Sequence, residues 1–495
     1  MIQYKELIEK YLVMINKILK IIYIKQKNNE IDKQFMECIN NLADVFLDTV
    51  NLLNQYEIPH KDIEILIEEI SNDLVYVIEL INKNIASEDI ELLISNINDK
   101  FNTLIDLLNK TLKYKILIYG VNDISLKLKE LINYDNNDLI FYISNNSEHF
   151  YKYIDGIFIL PLDEAIKYSY DYIIVGDTDL NDLNRALANN KVSKEQIFNY
   201  MYYICNFGFY SSPEFFTQYN SFMKNNKRYD GIITGMSYTQ KGINAELLPG
   251  RFFNFACASQ DLYYDYEMMK YSLSFEEVRK TIKYATIGLC YYSFQYDLSK
   301  GVGKGRSNYY YRITGKYHNY DLAQENKNFY KNFCEISKKI FKSNSSSILY
   351  EMEKEEYIEI MRDSKNKKFD SSLLSNQEKY ECIKEVKMKY NKNYPLTVRE
   401  NEEIFKSYLD MLYTNGIIPI VVVPPETEIY RDNISIPIRN EFYEIIEEYQ
   451  EKYGFQFLDY FYSNDFTNSD FYDGSHLNNK GSEKWTKLLG RDIKW

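Results

Sequence analysis

A serine, a histidine and an aspartate in the second half of the chain could together carry out nucleophilic chemistry. Ser237 ends the strand-like segment YDGIITGMS, and a serine there projects from a sheet edge with little crowding, as a nucleophile must. Asp473 lies three residues before His476, so one short loop can supply a general base and the carboxylate that fixes its tautomer. The pattern predicts that His476 takes the Ser237 proton while Asp473 orients His476.

Each of these residues also has a simpler structural interpretation. Ser237 can be the N-cap of a following helix, and His476 can be an incidental member of a turn rich in Gly and Asp. Ser259 can cap a helix that starts near Asp261, or its backbone N–H can donate to a developing oxyanion. The order of the segments along the chain favours the catalytic interpretation more than any one segment does.

In this order the segments resemble the SGNH/GDSL hydrolase superfamily over about residues 229–495. The resemblance is carried by GMS at 235–237, CASQDL at 257–262 and DGSHLNNKGS at 473–482, which look closest to the D-alanyl-lipoteichoic acid and alginate O-acetylation branches. It implies Ser237 as the nucleophile, with Asp473 and His476 as its partners. It also implies that the backbone at Ser259 is an oxyanion donor.

Two departures from the superfamily pattern concern the residues around the site. Met236 stands where the superfamily often has Asp, which is tolerable because that Asp is not a member of the triad. The Asn of the third block is missing, since the matching segment 288–293 is GLCYYS. Either Tyr292 or Ser293 replaces the missing donor, or the oxyanion hole is incomplete.

The stretch 113–205 alternates strands and helices, which predicts a small Rossmann-like parallel sheet. Its segment 120–125, GVNDIS, keeps only the first Gly of a G-x-G-x-x-G loop, and the second strand ends in Asn145 and Asn146 rather than in an acid. Gly120 and Asn122 are weak candidates for cofactor binding, and no cofactor is predicted. The stretch resembles the nucleotide-binding-like modules attached to bacterial sugar-modifying enzymes.

The elements that must position these residues indicate an α/β chain. Residues 1–112 lack Gly and carry apolar residues at three- and four-residue spacing, which predicts an N-terminal helical bundle. Residues 206–495 alternate strands and helices, which predicts a flavodoxin-like SGNH domain with its site at the carboxyl ends of the strands. An insertion at about 298–400 is expected to be a lid or a substrate-binding element.

Composition excludes several classes of function. A net charge of −13 argues against a nucleic-acid binder, and only four His argue against a zinc site, so no metal is predicted. No apolar run is long enough to span a membrane, and the N-terminus does not have the pattern of a signal peptide. A cytoplasmic protein is therefore expected, with the N-terminal helices as candidates for forming a homo-oligomer.

The functional hypothesis is a serine-dependent ester hydrolase or O-acyltransferase. The resemblance implies an acylated, most simply acetylated, carbohydrate or cell-surface glycan precursor as substrate. Water as the acceptor gives an esterase and a sugar hydroxyl gives a transferase, and the residues do not distinguish them. One alternative is a non-catalytic carbohydrate-binding or assembly protein, favoured by the missing Asn of the third block. Another is a sugar-nucleotide-dependent enzyme that acts through the Rossmann-like region.

Overall fold

The computed structural model describes residues 2–27, 33–55, 61–83, 87–208, 212–225, 227–342 and 367–495. The chain divides into two compact units. The first unit comprises Met1–Met201 with Phe333–Ser343, and the second comprises Tyr202–Asn332 with Asn344–Trp495. The first unit thus contains residues 1–112 together with residues 113–201.

Four of the described helices form the predicted N-terminal bundle. Their buried apolar residues recur every three or four positions, as Ile8, Leu12 and Ile15 do on the first helix, and they build one continuous core. Because the side chains of each stripe lie on one helix face, burial against the neighbouring helices stabilises the bundle. The bundle helices are α1 (Ile2–Lys27), α2 (Lys33–Gln55), α3 (Lys61–Asn82) and α4 (Ser87–Thr111).

A sheet of six described strands completes the first unit, in the order β3-β4-β2-β1-β5-β6. All its neighbouring pairs are parallel except β3 and β4, which form an antiparallel hairpin at the edge. Asp155 and Gly156 join that hairpin with positive φ angles of 49° and 79°, as a tight two-residue turn requires. The strands are β1 (Tyr114–Tyr119), β2 (Asn137–Ile143), β3 (Tyr153–Ile154), β4 (Ile157–Leu160), β5 (Tyr172–Val175) and β6 (Ile197–Phe198). The helices are α5 (Asp123–Leu131), α6 (Leu162–Ala165) and α7 (Asn181–Ala188). They are followed by α8 (Tyr200–Asn206), most of which belongs to the second unit.

A buried ion pair joins the bundle to this sheet. Lys5 Nζ on α1 lies 2.7 Å from Asp171 Oδ2, and both side chains are less than a tenth exposed. The same ammonium donates to Lys113 O, and the same carboxylate oxygen accepts the Lys115 N–H. The charge of each group is therefore compensated inside the first unit.

The second unit contains a fully parallel sheet of five described strands, in the order β11-β10-β9-β7-β8. Successive residues of a strand serve opposite faces: Ile232 packs into the core on one side and Ile233 into the core on the other. Since β8 and β9 lie on opposite sides of β7, the strand order reverses there, and the residues after β7 lie where such sheets hold their sites. The strands are β7 (Gly231–Gly235), β8 (Phe252–Asn254), β9 (Tyr284–Gly288), β10 (Ile418–Val423) and β11 (Gln456–Asp459).

The described part of the predicted insertion at about 298–400 is largely helical, and residues 343–366 lie outside the described residues. No helix in the described ranges is long and apolar enough to cross a membrane. The remaining helices are α9 (Pro213–Lys224), α10 (Ser237–Gly242), α11 (Leu262–Ser272), α12 (Glu276–Thr281), α13 (Ser307–Thr314), α14 (Ala323–Ile340), α15 (Asn376–Tyr390), α16 (Pro395–Thr414), α17 (Glu428–Asn433), α18 (Ile436–Tyr453) and α19 (Asn479–Asp492).

Candidate active site

The structure brings Ser237, His476 and Asp473 into one hydrogen-bonded chain. Ser237 Oγ lies 2.9 Å from His476 Nε2, and His476 Nδ1 lies 2.9 Å from Asp473 Oδ2. An ionised carboxylate can only accept, so the imidazole proton belongs on Nδ1 and the lone pair of Nε2 faces the serine hydroxyl. This is the arrangement in which an imidazole can take a proton from a serine.

Two glycines allow the turn that carries Ser237 to lie against the sheet. Gly235 has φ of 141°, and a Cβ there would lie 2.7 Å from Gly288 O. A Cβ on Gly288 would lie 1.8 Å from Thr239 Oγ1. Because neither strand end carries a side chain, α10 begins directly over the ends of β7 and β9. Ser237 is the first residue of that helix and is half-buried.

Asp473 also folds the loop that carries His476. Its Oδ1 accepts the backbone N–H groups of Ser475, at 2.9 Å, and His476, at 2.8 Å. The loop is closed by the Tyr472 N–H, which donates to His476 O, and by the Thr427 hydroxyl, which donates to Gly474 O at 2.5 Å. One carboxylate therefore fixes both the backbone of the loop and the orientation of the imidazole.

Close packing of α10 against α19 joins the two halves of the site. A Cβ on Gly242 of α10 would lie 2.6 Å from a ring carbon of Trp485, which is fully buried on α19. The rings of Tyr238 and Tyr472 lie nearly parallel to the imidazole of His476, at centroid distances of 5.0 and 5.6 Å. The His476 side chain is 19% exposed and that of Asp473 is 44% exposed, so solvent reaches the site.

The electrostatics of the loop keep Asp473 ionised. Burial raises the pKa of Asp473, but the hydrogen bond and charge of His476 and the two backbone N–H groups lower it more, so the pKa lies below its usual range. The resulting negative charge lies beside Nδ1, where it stabilises an imidazolium that forms when Ser237 loses its proton.

The predicted oxyanion residue Ser259 lies on a loop held beside the serine turn. The Cys257 N–H donates to Gly235 O at 3.0 Å, which joins the end of β8 to the end of β7. Ser259 has a positive φ of 60°, and Arg306 Nη1 donates to its Oγ at 2.8 Å and to Ala258 O at 2.7 Å. The conformation of the loop is thus fixed by contacts on both of its sides.

The other two predicted donors, Tyr292 and Ser293, lie after β9. Ser293 Oγ accepts the Cys290 N–H at 2.9 Å and so takes part in the local turn. Tyr292 is buried, and burial and the neighbouring Cys290 raise its pKa well above its usual range, against a hydrogen bond with Tyr238. Its phenol is therefore a proton donor, and in the described part of the chain no hydrogen bond joins either hydroxyl to Ser237.

A buried carboxyl group close to this site escaped the sequence analysis. Glu426 is 2% exposed, and within the described structure neither of its side-chain oxygens has a hydrogen-bond partner. Burial raises its pKa well above its usual range, although the charge of Lys389 lowers it. Lys389 Nζ also donates to the hydroxyl groups of Tyr238 and Tyr430, both at 3.1 Å. The signal was present, because Glu426 follows Pro-Pro at the carboxyl end of β10.

The two weak cofactor candidates of the Rossmann-like region have structural contacts. Gly120 has φ of 111°, and a Cβ there would lie 2.8 Å from Ser125 Oγ. Asn122 Oδ1 accepts the Ser125 N–H at 2.9 Å, and its Nδ2 donates to Gly176 O at 3.0 Å. Asn122 thus caps α5 and joins it to the end of β5.

One part of the first unit is similar to a known family. A family model described as C2185-like, N-terminal, matches residues 112–198. That segment contains the six-stranded sheet and is less than half of the chain, so the match describes this region alone. No curated protein matches the chain.

Proposed function

We propose that the second unit is a flavodoxin-like SGNH domain that acts as a serine esterase or O-acyltransferase. The observation that carries the proposal is the chain of contacts from Ser237 Oγ through His476 to Asp473, with both distances at 2.9 Å. The strand order supports it as well, because counting the five strands from β7 gives 2-1-3-4-5 with Ser237 directly after the first.

The chemistry proceeds in two half-reactions. His476 Nε2 takes the hydroxyl proton as Ser237 Oγ attacks the acyl carbon, and the same proton then passes to the departing alcohol. An acyl-serine remains. Water or a sugar hydroxyl then attacks it with His476 again as base, which releases the free acid or an acylated product and regenerates Ser237.

The oxyanion of each tetrahedral intermediate needs donors at the strand ends. We assign this role to the backbone N–H groups of Ser237 and Ser259. The bond from the Cys257 N–H to Gly235 O supports the assignment, because it holds the two turns side by side. Tyr292, which stays protonated, is the candidate third donor in the region where the superfamily has Asn.

The substrate we propose is an acylated carbohydrate or a cell-surface glycan precursor. This part of the proposal rests on the resemblance of the 257–262 and 473–482 segments to the O-acetylation branches of the superfamily. The alternative is a carbohydrate-binding or assembly protein without catalytic turnover. The segment GLCYYS at 288–293 favours this alternative, because it lacks the Asn of the third block.

A covalent serine probe and two acetyl esters test the proposal. The parent protein is expected to react with a fluorophosphonate and to hydrolyse an aryl acetate and an acetylated sugar, while Ser237→Ala does neither. Ser274→Ala, which alters an exposed serine of the same unit, is the matched control and should behave as the parent. If Ser237→Ala is still labelled, the nucleophile is a residue other than Ser237. If the parent protein shows neither labelling nor hydrolysis, the binding-protein alternative is favoured.

A further inference from the structure

Three buried side chains of the second unit form a cluster that the proposed reaction does not use. Asp261, Asp297 and His318 each offer one ligand atom, and these atoms all lie within 4.8 Å of one another. The residues are 2%, 6% and 9% exposed. They come from separate segments of the chain. Asp261 caps α11, Asp297 lies between β9 and α13, and His318 follows α13.

The imidazole of His318 presents a lone pair to the two carboxylates. Its Nε2 lies 3.1 Å from Glu400 Oε1 and 3.3 Å from Asn319 Nδ2. The Asn319 amide has closer acceptors in the carboxylates of Glu400 and Asp297, at 2.9–3.0 Å, and a carboxylate can only accept, so we place the ring proton on Nε2. Nδ1 then carries the lone pair, and among the described residues it has no hydrogen-bond partner. The nearest oxygen of Asp297 is 4.0 Å away, which is too long for a hydrogen bond.

Other contacts fix these groups where they are. The ring of Tyr263 stacks on His318 at a centroid distance of 4.3 Å and an angle of 7°. Asp261 accepts the backbone N–H groups of Tyr264 and Leu298, and Asp297 accepts that of Ser299, so both carboxylates are held by the chain. These bonds leave further lone pairs on the carboxylate oxygens.

The charges of the cluster do not balance. Asp261, Asp297 and Glu400 carry three negative charges when ionised, and Lys300 supplies one positive charge at 3.1 Å from Asp297 and 3.7 Å from Glu400. Two negative charges remain; Asp261 and Asp297 are buried, whereas the Glu400 side chain is 37% exposed. Buried negative charge is costly unless a cation or a proton compensates it. One divalent ion would remove the excess and would also take up the lone pair of His318.

We propose that Asp261, Asp297 and His318 bind one divalent transition-metal ion, with Glu400 holding the imidazole in the ligating tautomer. A histidine nitrogen with two carboxylate oxygens suits Zn²⁺ or Mn²⁺ better than Ca²⁺ or Mg²⁺. Ligands at about 2.0–2.2 Å from such an ion lie roughly 3.3 Å apart, so the cluster tightens on binding. A carboxylate that accepts from the far nitrogen of a ligating histidine is the usual support of such a site.

The ion has a structural consequence for the loop after β8. Asp261 lies two residues after Ser259, and the Ser259 carbonyl already accepts the Tyr296 hydroxyl at 3.2 Å. The Leu298 N–H also donates to Asp261, so a metal bound to Asp261 and Asp297 adds a further link between the same two segments. The inferred site therefore stabilises the second unit whether or not the proposed esterase activity is correct.

The test uses the full chain without a histidine tag, freed of metal by a chelator and then dialysed. Zn²⁺, Mn²⁺ and Mg²⁺ are added separately while the thermal unfolding midpoint and the bound metal per chain are measured. We expect one Zn²⁺ or Mn²⁺ per chain and a midpoint that rises with its concentration, with little response to Mg²⁺. Co²⁺ should give visible absorption bands of a nitrogen- and oxygen-ligated ion.

Variants then locate the ion. His318→Gln and Asp297→Asn should each lose the Co²⁺ bands and most of the midpoint shift. The metal affinity of each variant should fall at least tenfold. His149→Gln is the matched control, because its Nδ1 already has Ser144 Oγ at 3.1 Å, and it should bind as the parent does. The inference is overturned if the parent binds no stoichiometric ion, or if binding persists in both cluster variants. The parent titration decides even if a variant fails to fold.

Discussion

At the scale of single residues, Asp473 combines two roles that separate substitutions can distinguish. Its Oδ1 accepts two backbone N–H groups while its Oδ2 lies 2.9 Å from the imidazole of His476. In Asp473→Asn, the amide oxygen can still accept the two backbone N–H groups. The amide N–H₂ directed at Nδ1 would instead favour the wrong tautomer of His476.

Asp473→Asn is therefore expected to keep the loop and to lose the reaction. We predict a fall in kcat on an aryl acetate of about a hundredfold to ten-thousandfold, with a thermal midpoint close to that of the parent. Asp473→Ala removes the acceptor of the backbone groups too and should lower both kcat and the midpoint. Equal and small effects of both variants on kcat would argue against a role of Asp473 in orienting His476.

Glu426 makes the stability of the fold depend on pH. Its pKa is raised in the folded protein, so the folded state holds this proton more tightly than the unfolded state does. The contribution is present in full below the ordinary glutamate pKa of about 4.3 and is lost as pH rises from there toward the folded value. Glu426→Gln has no proton to lose at this position, so its stability should not fall in this way. The free energy of unfolding of Glu426→Gln should therefore exceed that of the parent by an amount that grows from weakly acidic to alkaline pH.

Urea unfolding at several pH values measures the Glu426 effect. Glu428→Gln, two residues away and exposed, is the control and should follow the parent at every pH. If Glu426→Gln were less stable than the parent at alkaline pH, the carboxyl group would have a stabilising partner in the protein, and the direction of its pKa shift would be wrong.

At the scale of elements, the distance between Ser237 and His476 depends on how closely α10 approaches α19. A Cβ on Gly242 would lie 2.6 Å from the Trp485 ring, so Gly242→Ala must push the helices apart. We expect a destabilisation of about 1–3 kcal/mol together with a loss of esterase activity. Gly490→Ala is the matched control, because its Cβ would meet no atom nearer than 3.5 Å. Equal midpoints and activities for the two variants would show that this contact does not set the site.

The sequence indicates the presence of the strands of the second unit better than the residues at which they end. The strand-like segment YDGIITGMS continues to Ser237, whereas β7 ends at Gly235 and Ser237 begins α10. β9 ends at Gly288, although the sequence stays largely apolar as far as Phe294. Residues 289–294 are apolar because they are buried in a turn of the core, and apolar character alone does not separate a buried turn from a buried strand.

Two features at this scale show different reasons for a missed prediction. The β3–β4 hairpin was missed although its Asp155-Gly156 signal stands in the sequence. The Asp261, Asp297 and His318 cluster was missed because its members lie far apart along the chain and only the fold brings them together. The small number of histidines argued against a zinc site, yet one histidine with two carboxylates is enough for the inferred ligand set.

At the scale of the whole molecule, periodicity predicts the helical bundle but not what it packs against. The three- and four-residue spacing of Ile8, Leu12 and Ile15 fixes which faces are buried, and the structure confirms the bundle. The inclusion of the bundle and the first sheet in one compact unit depends on particular long-range contacts such as the Lys5–Asp171 pair. Nothing in local spacing indicates that a lysine of the first helix meets an aspartate before β5.

The last prediction concerns that pair. Lys5→Met leaves Asp171 buried without its cation, which should cost about 3–5 kcal/mol, while adding Asp171→Asn should restore part of the loss because the uncompensated charge is then gone. Lys83→Met, which breaks an exposed pair with Glu79, should cost no more than about 1 kcal/mol.

Both tryptophans, Trp485 and Trp495, belong to the second unit, so their fluorescence reports that unit, whereas far-ultraviolet circular dichroism includes the bundle. We expect Lys5→Met to lower the urea midpoint seen by dichroism and to leave the fluorescence midpoint in place. An unchanged dichroism midpoint would mean that the ion pair does not stabilise the first unit.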